Sequence, residues 1–78
     1  MPDLEELPPR YRRVAERVGK GWTYPETAHD LGLTTRTVEA YIHETSALIL
    51  RDHPHLERLG PKERVMRWWA VDVEPGGG

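Results

Sequence analysis

Apolar positions in this chain return every three or four residues and nowhere alternate over a convincing length, so the pattern predicts helices and no strand of consequence. Tyr11, Val14, Ala15 and Val18 form the first stripe, with Arg12, Arg13, Glu16 and Lys20 off it. Pro8 and Pro9 open that helix, which runs from about Arg10 to Val18, and Gly19 and Gly21 close it. A second helix runs from Tyr24 or Pro25 to Leu31. Thr23 caps it, and Glu26 stands three residues later in the capping-box position. Gly32 then occupies a place where helices end in the left-handed conformation. Thr34 caps a third helix that continues to about Leu50, before Pro54 forces an end. On this helix Val38, Tyr41, Ile42, Thr45 and Ile49 share one face, whereas Arg36, Glu39, Ala40, His43 and Ala47 share the other. The first face is core and the second is free to touch something outside. Residues 51–60 read as a loop or ragged helical turn. Gly60 and Pro61 open a fourth helix through Val71, the triplet at 71–73 is a candidate for a brief extended stretch, and residues 74–78 read as a disordered tail.

The stretch TAHDLGLTTRTVEAYI, residues 27–42, has the spacings of two short helices meeting at a sharp corner. Such a corner needs a small residue at the crossing, a residue tolerant of positive φ in the turn, and apolar residues that fix the angle. Ala28, Gly32 and the set Leu31, Leu33, Val38 and Ile42 supply these in order. The expected fold is therefore all-α: a small four-helix domain with a tri-helical helix-turn-helix core and a C-terminal helix. It forms a single domain with its core at about 7–72, behind an acidic N-terminal arm at 1–6.

Charge qualifies this picture. The net charge of -2 weakens the case for a nucleic-acid partner, since lysine and arginine supply the attraction to phosphate. Its distribution restores part of that case. Residues 1–9 carry acids and no base, while Arg10, Arg12, Arg13, Arg17 and Lys20 crowd the first helix against the single acid Glu16. A chain of 78 residues supplies one small core, and without cysteine it has neither disulfides nor thiolate metal sites. No apolar run approaches the roughly 18 residues of a membrane span, and the acidic opening is unlike a signal peptide, so a cytoplasmic protein without membrane contact is expected.

Residues 7–50, with LPPRYRRVAERVGKGWTYPETAHDLGLTTRTVEAYI at their centre, resemble the DNA-binding domain of LuxR/GerE-type regulators, and PKERVMRWWAVDV falls where that family has its last helix. Region 4 of sigma factors is similar over the same residues and is the nearest competing family. The LuxR/GerE resemblance implies a stand-alone transcription regulator whose third helix enters the major groove of double-stranded DNA. It implies Arg36, Glu39, Ala40 and His43 as base readers: Ala40 suits a thymine methyl, Glu39 a cytosine N4, and Arg36 either guanine or a phosphate. It implies Thr34, Thr35 and Thr37 at the helix start, with Thr23 and Tyr24 at the start of the second helix, as phosphate contacts. Arg12, Arg13 and Lys20 extend that footprint if the first helix is turned toward the duplex. The chain departs from the family pattern at Glu39, where a basic residue is common, at Tyr41, where histidine is frequent, and at Thr27, where an aliphatic is usual.

Adjacent Trp68 and Trp69 point about 100° apart on a helix. One packing face does not readily bury both beside Val65 and Met66, so Val65, Met66, Trp68 and Trp69 are the expected interface of a homodimer. The competing reading is a protein-interaction module of the same frame that engages RNA polymerase, a sigma factor or another regulator. Asp52, His53 and His55 lack the helical spacing of a zinc site. No nucleophile with base and no phosphate loop can be assembled, so neither metal, cofactor nor enzymatic activity is expected.

Overall fold

Pro9 stands at the first position of helix α1 (Pro9–Gly19), where its missing N–H costs nothing because that donor has no partner inside a helix. The computed structural model describes residues 4–75. After a 3₁₀ turn at Leu4–Glu6 and α1 come α2 (Tyr24–Leu31), α3 (Thr35–Asp52), a 3₁₀ turn at Pro54–Leu56, α4 (Pro61–Trp68) and a π-helical turn at Trp69–Val73. No strand occurs among the described residues, and the molecule is a small all-helical globule.

Local chemistry sets each boundary. Gly21, at φ 100°, closes α1 through Gly21 N–H to Val18 O and Trp22 N–H to Arg17 O, both 3.0 Å. Thr23 Oγ1 accepts from Glu26 N at 3.2 Å while Glu26 Oε1 accepts from Thr23 N at 3.0 Å, the reciprocal capping box expected at the start of α2. Gly32 sits at φ 68°, ψ 31° and lets Leu33 N–H return to Ala28 O at 2.8 Å. Thr34 Oγ1 then accepts from Thr37 N at 3.1 Å and starts α3.

The core joins Val14, Ala15 and Val18 of α1 to Ala28 of α2, to Val38, Ile42, Leu48 and Ile49 of α3, and to Val65 and Trp68 of α4. It reaches Leu4, ahead of position 7. Thr27, unusual for an aliphatic site, is fully buried and donates from Oγ1 to Thr23 O at 2.9 Å, so its hydroxyl is satisfied. Tyr41 is half-buried and stacks on Tyr11 with centroids 4.2 Å apart, which joins α3 to α1.

The C-terminal third corrects three expectations. The α-helix ends at Trp68, and residues 71–73 are neither α-helical nor extended but lie in a π turn closed by Glu74 N–H to Trp69 O at 2.8 Å. Both tryptophans are buried inside the single chain, Trp68 at 5% and Trp69 at 4% exposure, as is Val65 at 0%. One chain thus covers both indoles, against the expectation that a single packing face would leave one exposed; of Val65, Met66, Trp68 and Trp69, the expected dimer interface, Met66 alone stays half-exposed. The cause is that α4 is covered on two sides, by α3 and by α1. Trp69 lies against Gly19, where a Cβ would stand 2.6 Å from Trp69 Cβ, so glycine at 19 clears the indole's place. Arg64 fixes the other flank, donating to Ser46 Oγ at 2.6 Å, Leu56 O at 3.1 Å and Leu59 O at 2.7 Å. The tail expectation falls on 74–78; residues 76–78 lie outside the described residues, and Glu74 is bonded as above.

Candidate nucleic-acid interface

Helix α3 separates its two faces cleanly. Val38, Ile42, Thr45 and Ile49 are 0% exposed, while Arg36, Glu39, Ala40, His43 and Ala47 are all exposed. The exposed set recurs at i, i+3, i+4, i+7 and i+11, which is one continuous stripe on a helix. At its start Thr34 and Thr37 share a hydroxyl contact of 2.9 Å as well as the cap, so both hydroxyls are engaged in holding the helix end. The amides of Thr35 and Arg36 remain without an acceptor inside the helix, at its positive pole. This stripe and this helix end bring together Thr34, Thr35, Arg36, Thr37, Glu39, Ala40 and His43.

The start of α2 adds Thr23 and Tyr24. Thr23 is exposed, with its oxygen and amide both occupied by the capping box. That bonding, first through the Thr23 backbone and then its side chain, holds the Glu26 carboxyl below its ordinary pKa and fixes a negative charge at the helix entrance. Tyr24 is half-buried, and burial, reinforced by Glu39 and Glu63, raises its phenol above the usual value. Lys62 of α4, absent from the sequence-derived set, stands 6.0 Å from the Tyr24 ring. Only the folded chain reveals it, because the signal is the approach of two helix starts distant in sequence.

The cations of α1 divide. Arg12 is not part of this surface: its guanidinium lies 5.8 Å from the Trp69 ring and it shares a cleft with Asp52, His53 and Asp72. Asp52 ends α3, about 24 Å along the helix axis from Arg36 at 1.5 Å per residue. Lys20 Nζ is 3.8 Å from Glu74 Oε1, which ties it to the C-terminal segment. Arg13 is exposed, and the row Arg10, Arg13, Arg17 occupies one side of α1. Arg10 lines a groove of about 460 Å³ with Leu7, Tyr11, Glu44 and Ala47, so this row begins beside the exposed stripe of α3. Tyr11 donates its hydroxyl to Glu44, and that bond holds the Tyr11 phenol above its ordinary pKa. His53 Nε2 lies 3.5 Å from Asp72 Oδ2 and edge-on to His55, making a link between the end of α3 and the π turn.

A helix-turn-helix with its outer helix exposed is a frame that many regulators share. The model of the family described as Sigma-70, region 4 matches residues 4–48. The chain belongs to the sigma-70 region 4 family. Of the two likenesses read from the sequence, region 4 rather than LuxR/GerE is the one this match supports. It spans α1, α2 and most of α3 and stops ahead of α4. No curated protein and no solved structure matches. Among the described residues of this region 4 domain, no helix is long and apolar enough to cross a membrane.

Proposed function

We propose that this region 4 domain binds double-stranded DNA in a sequence-dependent way and acts in transcription, with α3 in the major groove. The supporting observation is the stripe of Arg36, Glu39, Ala40 and His43, exposed on the side of α3 opposite a fully buried apolar face. A protruding helix of this kind fits the major groove, and its side chains carry groups suited to base edges. Arg36 reads guanine or holds a phosphate, Glu39 accepts from cytosine N4, Ala40 meets a thymine methyl, and His43 donates or accepts. Thr35, Thr37, Thr34, Thr23, Tyr24 and Arg13 position the duplex through its phosphates. Such a domain is regulatory and not enzymatic. A LuxR/GerE-like mode of groove entry is the finer form of this reading, and α4, beyond the matched residues, stands where that family has its last helix.

A second reading is favoured by the acids around the same surface. Glu26, Glu39 and Glu63 gather near Tyr24, and Glu44 borders the α1 groove. That charge suits a protein partner such as RNA polymerase better than phosphate does. Selection from random duplexes, followed by titration of the selected sequence against salt, separates the two. DNA binding predicts a steep loss of affinity with salt. It also predicts that Arg36→Ala or His43→Ala alters the preferred sequence. Failure to enrich any duplex at low salt would leave the protein partner as the reading.

A further inference from the structure

Of the chain's tryptophans, Trp22 is the one in solvent, 38% exposed while Trp68 and Trp69 are 5% and 4%. Its exposure is held in place by three features. The turn that carries it is closed by Gly21 at φ 100° and by Trp22 N–H to Arg17 O at 3.0 Å. The Arg17 guanidinium lies 5.7 Å from the indole ring. Arg17 is in turn fixed from behind, donating from Nε to Asp30 Oδ2 at 2.7 Å and from Nη1 to Arg13 O at 3.1 Å. The ring thus has one supported side. Its indole N–H, a donor with no acceptor capacity, makes no hydrogen bond among the described residues.

Two observations indicate what would cover it. Trp22 immediately precedes Thr23 and Tyr24, the start of α2, and in a helix-turn-helix the helix ahead of the reading helix crosses the DNA backbone. Arg17 sets a positive charge against the Trp22 ring, partly offset by its pairing with Asp30, and exposed Arg13 stands one turn earlier on the same side of α1. A cationic setting with a donor-only indole fits an acceptor-rich anion. We propose that Trp22 is a preorganised contact to the sugar–phosphate backbone of duplex DNA, its indole N–H donating to a phosphate oxygen and its ring lying on a deoxyribose. This contact rests on the DNA reading above and adds a residue outside the set that reads bases.

The test uses the full chain and a short fluorescein-labelled duplex obtained by the selection described above. Acrylamide quenching of tryptophan emission in the free protein reports chiefly Trp22, because the other indoles are buried. Adding the duplex is expected to protect it. Trp22→Ala is expected to weaken binding on the order of tenfold, as for loss of a hydrogen bond to a charged group. The loss should be equal for selected and scrambled duplexes, since backbone contacts carry no sequence information. The salt slope should stay unchanged, whereas removal of a cation would flatten it by about one. Trp22→Phe keeps a ring against Arg17 and guards against a collapsed turn; it should lose part of the affinity with its thermal unfolding unaltered. Duplex binding with undiminished quenching and parental affinity in both variants would overturn the contact while leaving the DNA reading intact, and would mark Trp22 as a surface for protein. Absence of duplex binding by the parent would defeat the DNA reading, and this contact with it.

Discussion

The exposed stripe of α3 and the tryptophan pair of α4 present the same problem with opposite outcomes. On α3 a single apolar face meets the core, so the angle of each residue around the helix axis decides its fate: Val38 and Ile42 go in, Glu39 and His43 stay out. On α4 the same angular argument separates Trp68 from Trp69 and would leave one in water. Both are buried, because α1 and α3 cover α4 from different sides and the chain passes into a π turn at Trp69. Helical periodicity predicts exposure where the neighbours all meet one face of a helix, as α1, α2 and α4 meet the apolar face of α3. Where neighbours meet a helix from different sides, as α1 and α3 meet α4, more than one face is concealed and adjacent aromatics can both be buried.

The sharpest way to break this contrast is Trp69→Ala. Truncating a buried tryptophan costs about 3 to 5 kcal/mol. Domains of this size hold roughly 0.05 to 0.15 kcal/mol per residue, so that loss takes a large share of the whole stability and nearly all of it at the low end of the range. The expected result is a thermal unfolding midpoint lowered by more than about ten degrees in far-ultraviolet circular dichroism. If α4 instead offered its indoles to a second copy, the loss would depend on protein concentration, and it is expected not to. By contrast Arg36→Ala and His43→Ala, on the exposed stripe, should shift stability by no more than about 0.5 kcal/mol in chemical denaturation.

Two glycine substitutions refine the comparison, because the two glycines are needed for different reasons. Gly19→Ala would set a Cβ 2.6 Å from Trp69 Cβ and 2.7 Å from Trp69 Cγ, atoms close to the backbone that have little room to yield. Overpacking of this kind costs about 1 to 3 kcal/mol and should be relieved in the Trp69→Ala background, a coupling that a double-mutant cycle measures. Gly32→Ala meets nothing within 4 Å but must hold φ at +68°. Its cost of about 1 to 2 kcal/mol is purely conformational and should be independent of Trp69.

These positions also show what the sequence made legible. The capping box at Thr23 and Glu26, the left-handed Gly32 and the Thr34 cap are contacts between residues at most a few positions apart, and each was readable from local spacing. The outward direction of Arg36, Glu39, Ala40 and His43 followed from the same periodicity. Gly19 was readable only as a helix terminator, because its role against Trp69 depends on a contact fifty residues away in the chain. The direction of Arg12 was left open for the same reason: nothing in RYRRV tells which side of α1 will face the π turn. Lys62 was invisible until α4 folded back beside Tyr24. Local chemistry thus wrote the corner, while the edges of the candidate interface were settled by tertiary packing.

The smallest effect concerns pH and lies within the corner itself. Glu26 has a folded pKa below its ordinary value because its carboxylate accepts the Thr23 amide and side-chain interactions in the capping box. A carboxyl depressed in the folded state stabilises the fold above its unfolded pKa of about 4.3 and loses that contribution as pH falls through the lower folded value. Glu26→Gln removes the charge but keeps a side-chain oxygen able to accept from Thr23 N–H. Thermal unfolding of the variant should therefore lie slightly below the parent at neutral pH and converge with it in acid, below the folded pKa. The same variant tests the site, since Glu26 places negative charge at the helix start where a DNA phosphate is expected. If DNA passes there, Glu26→Gln should bind duplex more tightly than the parent even as it folds less stably. A protein partner that uses the acids near Tyr24 would reverse the sign of the binding change and leave the folding change as it is, so the two measurements together tell which partner this end of α2 faces.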